Sequence, residues 1–112
     1  MNNSLAMIWV TADKEAAMNM VFMYAKNSML RGWWGEVSLI IWGPSGPILV
    51  EDTELQKELK ALKDAGVKLL ACKACSDRYG ISAKLASLGV EVKYMGEPLT
   101  QLLKSGVAVL TI

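Results

Sequence analysis

Two cysteines three residues apart, Cys72 and Cys75, are the side chains of this chain best suited to covalent chemistry. They stand in the stretch Val67 to Gly80, which reads Val-Lys-Leu-Leu-Ala-Cys-Lys-Ala-Cys-Ser-Asp-Arg-Tyr-Gly. Val67 to Ala71 is a short apolar run after a helix-ending Ala65-Gly66, which predicts a buried parallel strand with Cys72 at its exit. Lys73 to Asp77 are helix-compatible with little turn chemistry. The first thiol is therefore expected between a strand's carboxyl end and a helix's amino end. Backbone N–H groups and the helix dipole favour a thiolate there, and Lys68, Lys73 and Arg78 add positive charge nearby.

The pair has four readings. Free cysteine is often a small buried hydrophobe. Against this, Cys72 ends the apolar run instead of sitting within it, and thiols three apart on one helical turn are close enough to attack each other. One C-x-x-C supplies two metal ligands, and the chain has no other cysteine and no histidine. A four-ligand zinc or iron–sulfur site would need a second subunit or carboxylates, so no metal and no cofactor is expected. A thioredoxin-type dithiol follows an early strand and carries Gly-Pro between its cysteines; here Lys73-Ala74 stand there. The working reading is a thiolate nucleophile at Cys72 with Cys75 as its resolving partner. Its rivals are a binding or assembly module whose cysteines only pack, and a Cys72/Cys75 dithiol redox protein.

The elements that position the pair follow from size and patterning. A chain of 112 residues predicts a single domain, 1–112, able to bury a core without staples. At 53% hydrophobic residues it exceeds the usual share for a soluble domain, so extra surface is expected to be covered. No run approaches the ~18 uninterrupted apolar residues of a membrane span, and the start Met1-Asn-Asn-Ser4 lacks the basic region of an export signal. A cytoplasmic setting with reduced thiols is therefore expected. A formal net charge of +1 without a basic, aromatic-laced stripe argues against nucleic acid as partner.

Leu5 to Thr11 predicts a strand covered on both faces. Asp13 caps a helix from Lys14 to Leu30, with Met18, Val21, Phe22, Ala25 and Met29 on one stripe and Met20, Met23 and Tyr24 outside it. A helix so broadly apolar is expected to bury its second face on another subunit. Trp33-Trp34, between glycines, is expected to cap a core or an interface more readily than to bind a ligand. Glu36 to Trp42 is the second strand, and Gly43-Pro44-Ser45-Gly46-Pro47 reads as a shaped loop without the spacings of a nucleotide-binding motif. Thr53 with Gln56 forms a capping box for a helix packed through Leu55, Leu59 and Leu62. After the cysteines, Tyr79-Gly80 interrupts the helical pattern and Ser82 restarts it. Val90 to Tyr94 is a less covered strand, Gly96-Glu97-Pro98 opens the last helix, and Val107 to Ile112 is the final strand.

This alternation is an α/β pattern: a five-stranded parallel sheet with helices on both faces and right-handed crossovers. The flavodoxin-like order 2-1-3-4-5 is expected, which makes strands 1 and 3 neighbours and opens the crevice at their carboxyl ends. In that arrangement Thr11 and Asp13 face Cys72. Trp42, Gly43, Pro44 and Ser45 flank it on one side, Gly96 and Glu97 on the other, and Lys73 lies beside it.

Five segments carry a family resemblance: Ile41 to Ser45, Gly66 to Cys75, Tyr79-Gly80-Ile81, Leu88-Gly89-Val90, and Gly96 to Thr100. Together they resemble the DsrE family of small sulfur-relay proteins, from about Leu5 to Ile112. The resemblance implies a flavodoxin-like fold, a homo-oligomer (trimer or hexamer), and sulfur donor and acceptor proteins as partners. In the DsrE/TusD-like relay members, a cysteine ending the third strand, eight residues before a glycine, carries sulfur as a persulfide. Cys72 and Gly80 match that spacing, so the resemblance puts a sulfurtransferase-type carrier role on Cys72. Cys75 and the Trp42-Gly43-Pro44 form look more like the uncharacterised branch of the family.

Overall fold

The computed structural model describes residues 3–112. Met1 and Asn2, part of the start read for an export signal, lie outside the described residues. Strands β1 (Ser4–Trp9), β2 (Glu36–Ile41), β3 (Lys68–Cys72), β4 (Glu91–Lys93) and β5 (Ala108–Thr111) form one sheet in the order β4-β3-β2-β1-β5. Every pairing is parallel. Between β1 and β2, helix α1 (Lys14–Ala16) runs through a π-helical stretch (Ala17–Phe22) into α2 (Met23–Leu30). The others are α3 (Ser45–Glu51), α4 (Thr53–Asp64), α5 (Lys73–Tyr79), α6 (Ser82–Ser87) and α7 (Gly96–Lys104). Among the described residues no helix is long and apolar enough to cross a membrane.

The expected order 2-1-3-4-5 is thus corrected. Each step from β1 to β4 moves the same way across the sheet, and the reversal comes only with β5, which returns beside β1. Right-handed crossovers then place α1 to α6 on one face and α7 alone on the other. Strand alternation shows the division. Leu5, Met7, Trp9, Val37, Leu39, Ile41, Leu69 and Ala71 belong to a large core with the π-helical stretch, α2, α3, α4 and α6. Ala6, Ile8, Ile40, Leu70 and Cys72 belong to a smaller one with Leu99 and Leu102 of α7. The thiol of Cys72 therefore falls on the thinly covered side. β2 lies between β1 and β3, so Thr11 and Asp13 do not face Cys72.

Local chemistry fixes the elements on the larger face. Asp13 caps α1, its Oδ1 accepting from the Ala16 N–H at 3.0 Å, and Thr11 Oγ1 accepts from the Asp13 N–H at 3.1 Å. Trp9 and Phe22 meet edge to face, 5.1 Å between centroids. In α4, Leu55, Leu59 and Leu62 are buried, each contributing about 2 kcal/mol from removed apolar surface. The cap of α4 is Asp52, not Thr53, since Asp52 Oδ1 accepts from the Leu55 N–H at 3.0 Å. Gln56 is not half of a capping box; its amide donates to the carbonyls of Leu49 and Val50, tying down the end of α3.

The loop expected at Gly43 to Pro47 is a turn followed at once by α3. Gly43 takes φ +68°, which glycine adopts without strain, and Pro47 sits in the first helical turn, where no N–H is needed. Trp33 is exposed and lies 5.9 Å from the Tyr24 ring, while Trp34 donates to the Tyr24 hydroxyl at 3.1 Å. Met20 and Met23 are exposed on the outer side of the long helix.

Candidate functional site

Cys72 ends β3 and begins α5 in one residue. It pairs in register with Lys93 of β4 and keeps an extended backbone, φ −71° and ψ 112°, at the helix cap. Alternation along Leu69, Leu70 and Ala71 turns its side chain to the smaller core, where it is only 5% exposed and packs with Ile40, Leu70 and Met95. One helical turn on, Cys75 is half-buried in the same cluster. The two sulfurs are 3.2 Å apart, with the Cys75 thiol donating to Cys72 Sγ, and both cysteines are free.

Two hollows meet at the pair. The inner one, about 160 Å³ of empty space including open solvent, is lined by both cysteines, Gly43, Gly46, Tyr79 and Ile81 among others. The outer one, about 470 Å³, is lined by Gly43, Cys75, Arg78 and Tyr79, and not by Cys72. Cys75 thus borders both hollows and Cys72 only the inner. Gly46 keeps α3 close: a Cβ there would stand 2.9 Å from Ile81 Cδ1.

The electrostatics differ from the expectation of an activated thiolate. Burial pushes the Cys72 thiol above its ordinary range, and the neighbouring Cys75 sulfur adds to this, since a second negative charge so close is disfavoured. The amides of Cys75 and Ala74 act in the opposite sense without forming a capping hydrogen bond, and they do not win. No lysine or arginine contributes. Lys68 is exposed at the other end of β3. The Lys73 ammonium is 2.6 Å from Asp77 Oδ2 and 5.4 Å from the Tyr94 ring centre. That ion pair holds the Lys73 ammonium above its usual range and, with a hydrogen bond from Ser82, holds the Asp77 carboxyl below its own. Ser82 Oγ in turn meets the buried Ser76 Oγ at 2.6 Å, joining the start of α6 to α5.

Of the residues expected around Cys72, Gly43 lines both hollows and Trp42 packs in the cysteine cluster. Lys73 adjoins the pair in sequence but is engaged elsewhere. Ser45 is buried and structural, donating to the Trp9 carbonyl at 2.6 Å, and Pro44 is the exposed cap of α3. Thr11 and Asp13 serve the cap of α1. Gly96 and Glu97 are exposed in the first turn of α7, where the Gly96 carbonyl accepts from Thr100 Oγ1, and they line neither hollow. Sequence reasoning missed Gly46, Tyr79 and Ile81 as walls. The turn signal Tyr79-Gly80 was there to find two of them, since Gly80 at φ +70° folds Ile81 back toward α3. Among the described residues, no cluster of three or more His, Cys, Asp or Glu could hold a metal ion.

The sequence profile of the DsrE/DsrF-like family matches residues 6–112. The chain belongs to the DsrE/DsrF-like family. That family is generally related to sulfur relay. Among solved structures, this DsrE/DsrF-like chain is similar to BT1422, a conserved protein of unknown function from Bacteroides thetaiotaomicron. The two share 38% identity at a TM-score of 0.96, over 98% of this chain and 95% of that one. YchN of E. coli (22% identity, TM-score 0.71) and MTH1491, a protein of unknown function from Methanobacterium thermoautotrophicum (16%, 0.77), share the fold. Each is covered in full and covers this chain in full. A search of curated protein sequences finds no match.

Proposed function

We propose that this protein accepts sulfane sulfur from a donor persulfide, carries it as a persulfide on Cys72 and passes it to an acceptor thiol, in a reducing compartment such as the cytoplasm. The observation that carries this reading is the pair of free thiols in contact at the exit of β3, bordering a hollow walled by Gly43, Tyr79 and Ile81. Uptake is a thiol exchange: the Cys72 thiolate attacks the outer sulfur of the donor persulfide, the donor's S–S bond breaks, and the donor thiolate leaves. Burial makes Cys72 a slow nucleophile toward solutes at neutral pH, and the same burial shelters the cargo. The exposed methionines Met20 and Met23 support a homo-oligomer, since a second copy would cover a face that one chain leaves in water.

The test is intact and peptide mass spectrometry of the Cys75→Ser variant after exposure to glutathione persulfide. A gain of one sulfur atom on Cys72 is expected. No gain at Cys72, with the donor present in excess, refutes carriage on that residue.

A further inference from the structure

We infer that Cys75 discharges the cargo, so that the site reduces sulfane sulfur to sulfide and ends as a Cys72–Cys75 disulfide. The inference rests on the reading that Cys72 takes up sulfane sulfur, and it concerns the fate of that sulfur. Once Cys72 is a persulfide, its own Sγ is the inner sulfur of an S–S bond. Cys75 Sγ stands 3.2 Å from that atom. A disulfide needs about 2 Å, so a shift of roughly 1 Å between the two sulfurs closes the gap.

The step balances without any outside oxidant. The Cys75 thiolate attacks the inner sulfur, the Cys72–Cys75 bond forms, the bond to the outer sulfur breaks, and hydrosulfide leaves. The sulfane sulfur gains two electrons and each cysteine sulfur gives one. Attack on the outer sulfur instead moves the persulfide to Cys75, where Cys72, still in contact, performs the same discharge. Both routes end with one sulfide and one disulfide. A further turnover needs two electrons from a reducing thiol or dithiol.

Geometry decides between passing the sulfur on and releasing it. An acceptor thiol must reach Cys72, 5% exposed, through the inner hollow, whereas Cys75 lines that hollow already. Aligned groups held in contact act with effective concentrations reaching on the order of 10⁵ M, far above any free thiol. Only an acceptor docked into the hollow outruns the neighbouring cysteine. Cys75 thereby sets a lifetime on the persulfide.

The test compares the wild type, Cys75→Ser, Cys75→Ala and the Cys72→Ser, Cys75→Ser double variant, anaerobically, with glutathione persulfide. Trapped sulfide and intact mass are read after desalting, and the double variant gives the blank for donor decay. The wild type should release about one equivalent of sulfide per chain above the blank and lose the mass of two hydrogens. Both Cys75 variants should hold sulfur on Cys72 at least about tenfold longer. A wild type that keeps its persulfide as long as the Cys75 variants, releasing no sulfide, overturns the inference and leaves the carrier intact. If no form with Cys72 takes up sulfur, the carrier reading itself fails.

Discussion

Replacing Ser45 by alanine separates scaffold from ligand site in the turn beside the cysteines. The side chain is fully buried, its hydroxyl donating to the Trp9 carbonyl at 2.6 Å and accepting from the Trp42 N–H at 3.2 Å. Alanine removes these and a longer bond to the Trp42 carbonyl at 3.3 Å, while the Trp42 N–H and the Trp9 carbonyl keep each other at 3.0 Å. The loss is then mainly that of one short internal hydrogen bond, about 1–1.5 kcal/mol. For a chain of 112 residues, an unfolding entropy of about 2.1 cal/mol/K per residue makes each kcal/mol worth roughly 4 °C. Tm should fall by about 4–6 °C in calorimetry, while uptake of sulfur by Cys72 keeps its rate. Unchanged Tm with slowed uptake would refute this, and would return Ser45 to the list of groups that touch the cargo.

Other outcomes follow from the same geometry. In Cys75→Ser, the pH midpoint for alkylation of Cys72 should lie above the ordinary thiol value of about 8.5, because burial opposes the thiolate. The sign for stability is the same: the folded protein favours the protonated thiol, so this contribution is full below the unfolded value and is lost as pH rises through the folded one. A midpoint under about 8.5 would show an activated site instead. Gly80→Ala, at φ +70° with open space where Cβ would go, meets backbone strain alone; it should cost about 1 kcal/mol, read as a lower urea midpoint at unchanged slope. Met20→Glu with Met23→Glu should leave the fold intact by circular dichroism and reduce the mass seen by light scattering to one chain. A wild type already monomeric at micromolar concentration removes the case for assembly.

The alternation of strands and helices, the reach of most elements and the address of Cys72 were legible in the chain. Asp13, Gly66 and Gly80 are local punctuation, and local punctuation needs no knowledge of the sheet. Strand order was not legible in the same way, since right-handed crossovers permit a reversal after β2 or after β4. One signal did discriminate. Val37, Leu39, Ile40 and Ile41 are all buried, as befits a central strand, whereas Glu91-Val92-Lys93 is too short and too charged for one. The order 2-1-3-4-5 would have put the first at an edge and the second inside. With the order went the facing of Thr11 and Asp13 to Cys72. The thiol's electrostatics were misjudged for a different reason: a helix start favours a thiolate only if the sulfur keeps its water, and parity along β3 sends this one inward. Pro47 hid α3, because a proline in a first turn looks like a loop until the turn is seen.

The widened turn at Ala17–Phe22 has a consequence for how this chain tolerates change in length. A π-helical stretch holds one residue more than an α-helix of the same reach. Losing a residue at Asn19, exposed on that stretch, would let it tighten to ordinary winding while Ala25 and Ser28 stay turned to the sheet. The same loss early in Met23–Leu30 would swing everything beyond it by about 100°, turning the buried Ser28 out of phase. Slack for one deletion is thus stored in the crossover from β1 to β2, away from the strand that carries the sulfur atoms.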